Sequence, residues 1–270
     1  MKNFKYGVLA IALLVLLAPV ALVAQEKTGI SSEEVAKANN PLANTKAFNI
    51  QNYYVGSIYD DSDLKANTML LRYSMPLAKG KILLRATMPF STLPSGYEAT
   101  GTPKYSSGTG DFNFFATYTL SKPESKTLIG VGPQVVMPTA TSTHTGAGKW
   151  QAGAALVIFN TASPVVQWGA LITYQTSFAG DKDRSDVNLL IAQPFGIFQL
   201  GKGAYLRSTA LWNFNIETES YNVPLGIGAG HVLKAGGTVM NIYLEPQFTM
   251  LHEGYGQPAF QVFGGLNFQF

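Results

Sequence analysis

The chain has 270 residues, of which 46% are hydrophobic and only 13% charged, with 27 glycines, no cysteine and a formal charge of +3. Charged residues make up about a quarter of an ordinary soluble domain, so this composition disfavours one. The missing cysteine excludes disulfide staples, thiolate metal sites and a lipid-anchored lipoprotein.

Residues 1–24 read as a secretory signal peptide. Lys2 and Lys5 form a basic start, Gly7 to Val20 an apolar core, and small residues lead to cleavage after Ala24, with Leu22 an imperfect fit at the minus-three position. Removing the two lysines lowers the formal charge from +3 to +1, so no basic surface for nucleic acid is expected. Beyond this leader no stretch reaches the roughly 18 unbroken apolar residues of a membrane helix. Apolar residues are plentiful but dispersed, as in a membrane barrel, where they alternate with polar ones.

Residues 25–46 are polar and lack a strand pattern. Ser31 and Glu34 have the spacing of a capping box, Ile30 can staple onto Val35, and Asn40-Pro41 ends the short helix that results. A periplasmic segment is the plain reading; a plug entering the lumen is the alternative.

From residue 47 the chain is a series of period-two segments. Twelve are predicted, near 47–59, 65–77, 81–91, 110–121, 126–139, 149–160, 165–178, 185–198, 203–215, 221–233, 237–250 and 258–270. The clearest places Ile242, Leu244, Pro246, Phe248 and Met250 on one face and Asn241, Tyr243, Glu245, Gln247 and Thr249 on the other. The first is weak because Asn49, Gln51 and Asn52 put amides on both faces. The eighth contains Gln193-Pro194, which places an amide on the greasy face and removes a donor, so a bulge is expected there. Short connections such as 77–81 and 234–237 alternate with longer ones, above all Ser91 to Thr109, read as a loop. Short turns on one side and long loops on the other is the outer-membrane arrangement, with the short side and both ends of the barrel facing the periplasm.

A soluble sandwich would hide its apolar faces. Here Phe90, Phe112, Trp150, Phe178, Trp212, Phe248 and Phe260 cluster toward the long loops, and Tyr118, Trp168 and Phe268 toward the short turns. Two aromatic belts suit two membrane interfaces, so the expected fold is an all-β, up-and-down transmembrane barrel of about twelve strands surrounded by outer-membrane lipid. Phe270, preceded by alternating apolar residues, has the form of a final strand read by the barrel-assembly machinery.

If the greasy face is outside, the lumen collects Asp111, Asn113, Gln134, Gln167, Gln175, Asn188, Asn213, Asn241, Gln247, Gln261 and Asn267. Amides both donate and accept hydrogen bonds, so such a wall suits water and small polar solutes; a small barrel packed shut by the same groups is the alternative. Arg72 and Arg85 lie almost equidistant from a turn at 78–79 and are expected to face each other across it. Arg207 lies at a similar height across the lumen, with Glu245 its counter-charge. These are either a salt-bridged girder or a basic constriction favouring anions. An apolar lumen patch of Leu70, Leu83, Phe115, Val136, Leu171 and Phe263 could serve a hydrophobic solute. His144, His231 and His252 share no face with a serine and an acid, so no enzyme, metal site or cofactor is expected. The run 226–230, GIGAG, reads as strand curvature rather than a phosphate loop.

Three segments carry a family resemblance: Gly148 to Gly153, Ser185 to Asn188 with Gln193-Pro194-Phe195, and Val223 to Gly230. In order and spacing they resemble outer-membrane transporters labelled with the phenol-degradation meta-pathway, over about 149–270. The resemblance implies a twelve-stranded barrel that passes small hydrophobic or aromatic compounds, and it assigns no binding or catalytic residue. A channel for passive passage of small solutes is the leading reading. A structural or adhesive barrel without conductance and a lipid-active enzyme are the alternatives.

Overall fold

The computed structural model describes residues 30–270 except Pro123. The expected signal peptide lies outside the described residues. The strands are β1 (Ala47–Ile58), β2 (Ala66–Leu77), β3 (Ile82–Tyr97), β4 (Pro103–Thr109), β5 (Phe112–Thr119), β6 (Thr127–Met137), β7 (Lys149–Asn160) and β8 (Val166–Gly180). They continue as β9 (Asn188–Gly201), β10 (Ala204–Ser208), β11 (Trp212–Asn215), β12 (Ser220–Gly226), β13 (Gly228–Ala235), β14 (Thr238–Glu253) and β15 (Pro258–Gln269). Every pairing is antiparallel, and β15 pairs with both β14 and β1, so the sheet is a closed ring. β4 with β5, β10 with β11 and β12 with β13 are each one interrupted strand, which makes the wall twelve-stranded, as the periodicity predicts.

Alternation gives the wall two chemistries. Trp168, Phe178 and Phe248 stand outward and are more than half exposed, whereas Phe115, Phe159 and Phe263 point inward and are buried. Among the described residues no helix is long and apolar enough to cross a membrane; the crossing elements are strands.

Three details differ from the sequence reading. Ser91 to Thr109 is not a loop but a hairpin that continues the wall, with Phe90 opposite Thr109 and Tyr97 opposite Pro103. Its Gly96 marks a bulge in the ladder rather than the end of the strand, and Ser and Thr side chains replace the greasy alternation, as in the Thr92–Ser107 hydroxyl contact of 2.9 Å. Gln193-Pro194 does not bulge its own strand. β9 runs straight through it, and the break falls in the neighbour, between β10 and β11 at residues 209–211. Proline has no N–H to give that neighbour, and Gln193 compensates by donating its side-chain amide to the Thr209 carbonyl at 2.9 Å. Gln193 also lines the lumen with Phe195 and Ile197 and is not on the greasy face. Finally, Leu77 pairs with Ile82, which centres the turn on 79–80. Arg72 therefore faces Thr87, and Arg85 faces Ser74, so the two arginines are diagonal neighbours on one face rather than direct partners.

Ahead of the wall, Ser32–Asn39 forms α1. The Ser31 hydroxyl accepts from the Glu34 amide at 3.2 Å, and the Glu34 carboxylate accepts from the Ser31 amide at 3.0 Å, which is the capping box. Val35, Ala38 and Leu42 are buried, and Leu42 packs with Leu83, Phe115, Val157 and Leu171, all inward-facing. The segment lies inside the ring of strands instead of hanging below it.

Two outcomes follow. The protein should require detergent to stay folded and should migrate differently on a gel before and after boiling; a folded monomer in plain buffer would contradict a lipid-covered wall. The Glu34 carboxyl is held down to about 2 from 4.5, first by the Ser31 amide and then by Lys234. A carboxyl depressed on folding stabilises the capped helix above its unfolded value and loses that contribution as pH falls through about 2. The Glu34 side-chain carbon shift should accordingly titrate well below pH 4; an ordinary midpoint would mean the cap and ion pair do not form.

Candidate functional site in the barrel lumen

The inward faces of β2, β3, β10 and β14 carry the charge, as Arg72, Arg85, Arg207 and Glu245. Arg207 Nε donates to the Glu245 carboxylate at 2.8 Å, with Arg207 9% and Glu245 0% exposed. Burying such a pair is tolerable only if the remaining lone pairs are also satisfied. They are: Glu245 also accepts from the Thr209 amide at 2.8 Å, the Thr209 hydroxyl at 2.7 Å and the Gln247 side-chain amide at 3.0 Å. Gln261 in turn donates to Gln247 at 2.7 Å. The Arg207 guanidinium lies 3.6 Å from the Tyr243 ring centroid, and Phe263 stacks on Tyr53 at 4.2 Å. Gln51 donates to the Tyr243 hydroxyl at 2.7 Å and accepts from Arg72 at 2.6 Å. One network thus joins Arg72 to Glu245 through Gln51, Tyr243 and Arg207.

The glycines of 226–230 explain how the carboxylate fits. A Cβ on Gly226 would come within 2.3 Å of a Glu245 oxygen, and one on Gly228 within 2.3 Å of the Leu244 carbonyl. One on Gly230 would meet the Tyr205 ring. The run that reads as curvature in the sequence is also the floor on which Glu245 and Tyr205 lie.

Arg72 and Arg85 have no such partner. Neither makes a salt bridge among the described residues, and the Nε of each is buried without an acceptor. The Arg85 guanidinium sits 4.3 Å from the Phe115 ring centroid. Arg72, Arg85 and Arg207 all line one cavity of about 160 Å³, together with Asn39, Asn49, Gln193 and Asn267. Three arginines against the single Glu245 leave two positive charges at this level of the lumen.

The other expected lumen residues divide. Gln134 is buried and donates to Gln175, which donates to Gln151 at 2.7 Å, an amide ladder on β6, β8 and β7. Asn113 sits on the inward face of β5 opposite Thr87. Asp111 does not join the arginines: its carboxylate accepts from the Ala140 amide at 3.2 Å and the Ala147 amide at 2.7 Å, pinning the 138–148 loop where β4 and β5 break. Sequence reasoning missed Gln51 and Tyr243 as parts of the site, although both fall on the inward parity, and it placed Gln193 on the opposite face. It also missed Asn39, which accepts from Asn241 at 2.9 Å. Leu70, Leu83, Phe115, Val136, Leu171 and Phe263 are all buried, and Leu83, Phe115 and Leu171 form one apolar wall with Ala155 and Val157.

Neither a protein-family model nor a curated protein sequence matches this chain. Solved structures do. The fold is similar to an outer membrane channel from Pseudomonas putida F1, with a TM-score of 0.61 and 14% identity over 84% of this chain and 94% of that one. The NanC porin gives 0.51 at 10% identity, over 83% of this chain and 98% of its own. The KdgM porin gives 0.50 at 9% identity, over 83% and 99%. The chain is a twelve-stranded barrel of the outer-membrane channel architecture, and at these identities the likeness is one of fold.

The Arg207–Glu245 pair carries a stability prediction. Arg207→Met alone strands a buried carboxylate and should cost about 3–5 kcal/mol, whereas Arg207→Met with Glu245→Met should cost clearly less. Urea unfolding in lipid vesicles compares them. Simple additivity of the two single changes would show that the pair is not coupled.

Proposed function

We propose that this protein is an outer-membrane channel for passive passage of small solutes, with a basic constriction at Arg72, Arg85 and Arg207. The observation that carries the reading is the pair Arg72 and Arg85: two inward guanidiniums beside a polar cavity with no acid to neutralise them. A wall that needed only a girder would pair them as it pairs Arg207 with Glu245. Unneutralised charge at a narrow level of a pore attracts small anions and repels cations. The closed antiparallel ring, the two aromatic belts and the fold likeness to outer-membrane channels and porins support the location in the outer membrane. Export by a signal peptide cleaved after Ala24 and recognition of Phe270 by the barrel-assembly machinery belong to the same proposal. Phe270 is exposed, and its amide continues the ladder by donating to the Lys46 carbonyl at 3.0 Å.

The apolar wall of Leu83, Phe115 and Leu171 beside Arg85 favours a second reading of the solute: a small anion with a hydrophobic or aromatic body. The phenol-pathway resemblance of residues 149–270 points the same way.

Purified protein in planar bilayers under a salt gradient tests the channel. It should pass current with a reversal potential on the anion side, and Arg72→Gln with Arg85→Gln should move that potential toward zero while the barrel remains heat-modifiable. An unchanged potential would remove the arginines from selectivity. No current from the folded protein would favour the non-conducting barrel.

A further inference from the structure

Residues 31–45 cross the lumen from one wall to the other. On the β9, β13, β14 and β15 side they are held by single polar contacts. Gln199 donates to the Ser32 carbonyl at 3.4 Å, Lys234 pairs with Glu34 at 2.9 Å, Asn241 donates to Asn39 at 2.9 Å, and Gln269 donates to the Ala38 carbonyl at 3.0 Å. On the opposite side Leu42 inserts among Leu83, Phe115, Ala155, Val157 and Leu171. It lies against Gly130, where an added Cβ would stand 3.1 Å from a Leu42 methyl. Asn44 packs on Gly80 of the β2–β3 turn, so the crossing is made at the short-turn end of the barrel. Residues Ala38 to Pro41, Ala43 and Thr45 border the arginine-lined cavity, and the segment forms its cover on that side.

The hold is weak by its chemistry. An eight-residue helix is too short to persist unaided. The Glu34–Lys234 pair is substantially exposed, and such pairs contribute little. What is buried is a small set of side chains: Val35, Ala38, Leu42 and Ala43. Segments with few buried contacts open locally while the rest of a fold stays intact.

We propose that residues 31–45 are an autoinhibitory plug, bolted by Leu42 into the apolar lumen wall, whose release opens the passage past Arg72 and Arg85. The plug rests on the channel reading above, because a plug needs a passage to close.

The absence of cysteine makes the test clean. Single-channel recording would compare the full mature chain, Leu42→Ser, and Asn39→Cys with Asn241→Cys joined by a short reducible bifunctional thiol reagent. Leu42→Ser should raise the open-to-closed ratio on the order of tenfold, the loss of one buried leucine converted to a population shift. The cross-linked protein should stay closed and recover wild-type openings on reduction. If all three record identically while each is heat-modifiable, the plug is overturned and the channel stands. A chain lacking 31–45 separates the remaining case: a folded barrel that still passes no current, alongside silent Leu42→Ser, overturns both readings. Should that shortened chain fail to fold, Leu42→Ser and the cross-link decide the plug between them.

Discussion

An N–H or C=O left unpaired in hydrocarbon costs several kcal/mol, because no water is there to take its place. The whole wall follows from that penalty. Each strand must find two neighbours, so β15 returns to β1 and no edge is left. Where the ladder fails, the repair is local. Pro194 cannot donate across to 209–211, and the Gln193 side chain supplies the Thr209 carbonyl instead. At the β4–β5 break the backbone is turned to serve a loop, which Asp111 holds by two amides.

Closure creates an interior whose chemistry is decided by parity, and that interior has to accommodate whatever the alternate positions bring. Much of it is filled. Aromatic and aliphatic groups and an amide ladder share β7 and β8, while the Arg207–Glu245 pair fills the side of β10 and β14. The ion pair survives burial because every oxygen of Glu245 is occupied and because glycines at 226 and 228 leave room for it. The contrast with Arg72 and Arg85 is informative for that reason. In the same lumen one arginine is fully served and two are not, so want of available partners in the fold is not a general condition of this wall.

The pattern of alternation made much of this readable in advance. The inward sets of β14 and β15 fall where period two puts them, and the link between Arg207 and Glu245 follows from counting strands. Reading failed where side-chain parity was not the deciding quantity. The arginine pairing slipped because a four-residue turn, with left-handed backbone at Ala78, Lys79 and Gly80, moves the hairpin centre by one residue. The 91–109 hairpin was hidden because strands above the bilayer have no reason to carry a greasy face, so serine, threonine, proline and glycine read as loop. Asp111 was assigned to the lumen by parity, and parity gave no sign that two loop amides would bind its carboxylate.

By itself the sequence determined the class of the molecule: the number of strands, the face each one turns outward, and most of the inward side chains. Those depend only on local alternation, which a chain carries wherever it goes. Tertiary structure decided which inward groups meet. Arg72 reaches Gln51, Arg207 lies on Tyr243, and Leu42 crosses to Phe115, contacts set by register and ring closure between residues far apart in the chain. Residues 31–45 show the division most plainly. Their capping box was legible from four neighbouring residues, but whether that helix hangs outside or lies within the wall depends on a lumen that does not exist until the ring is closed.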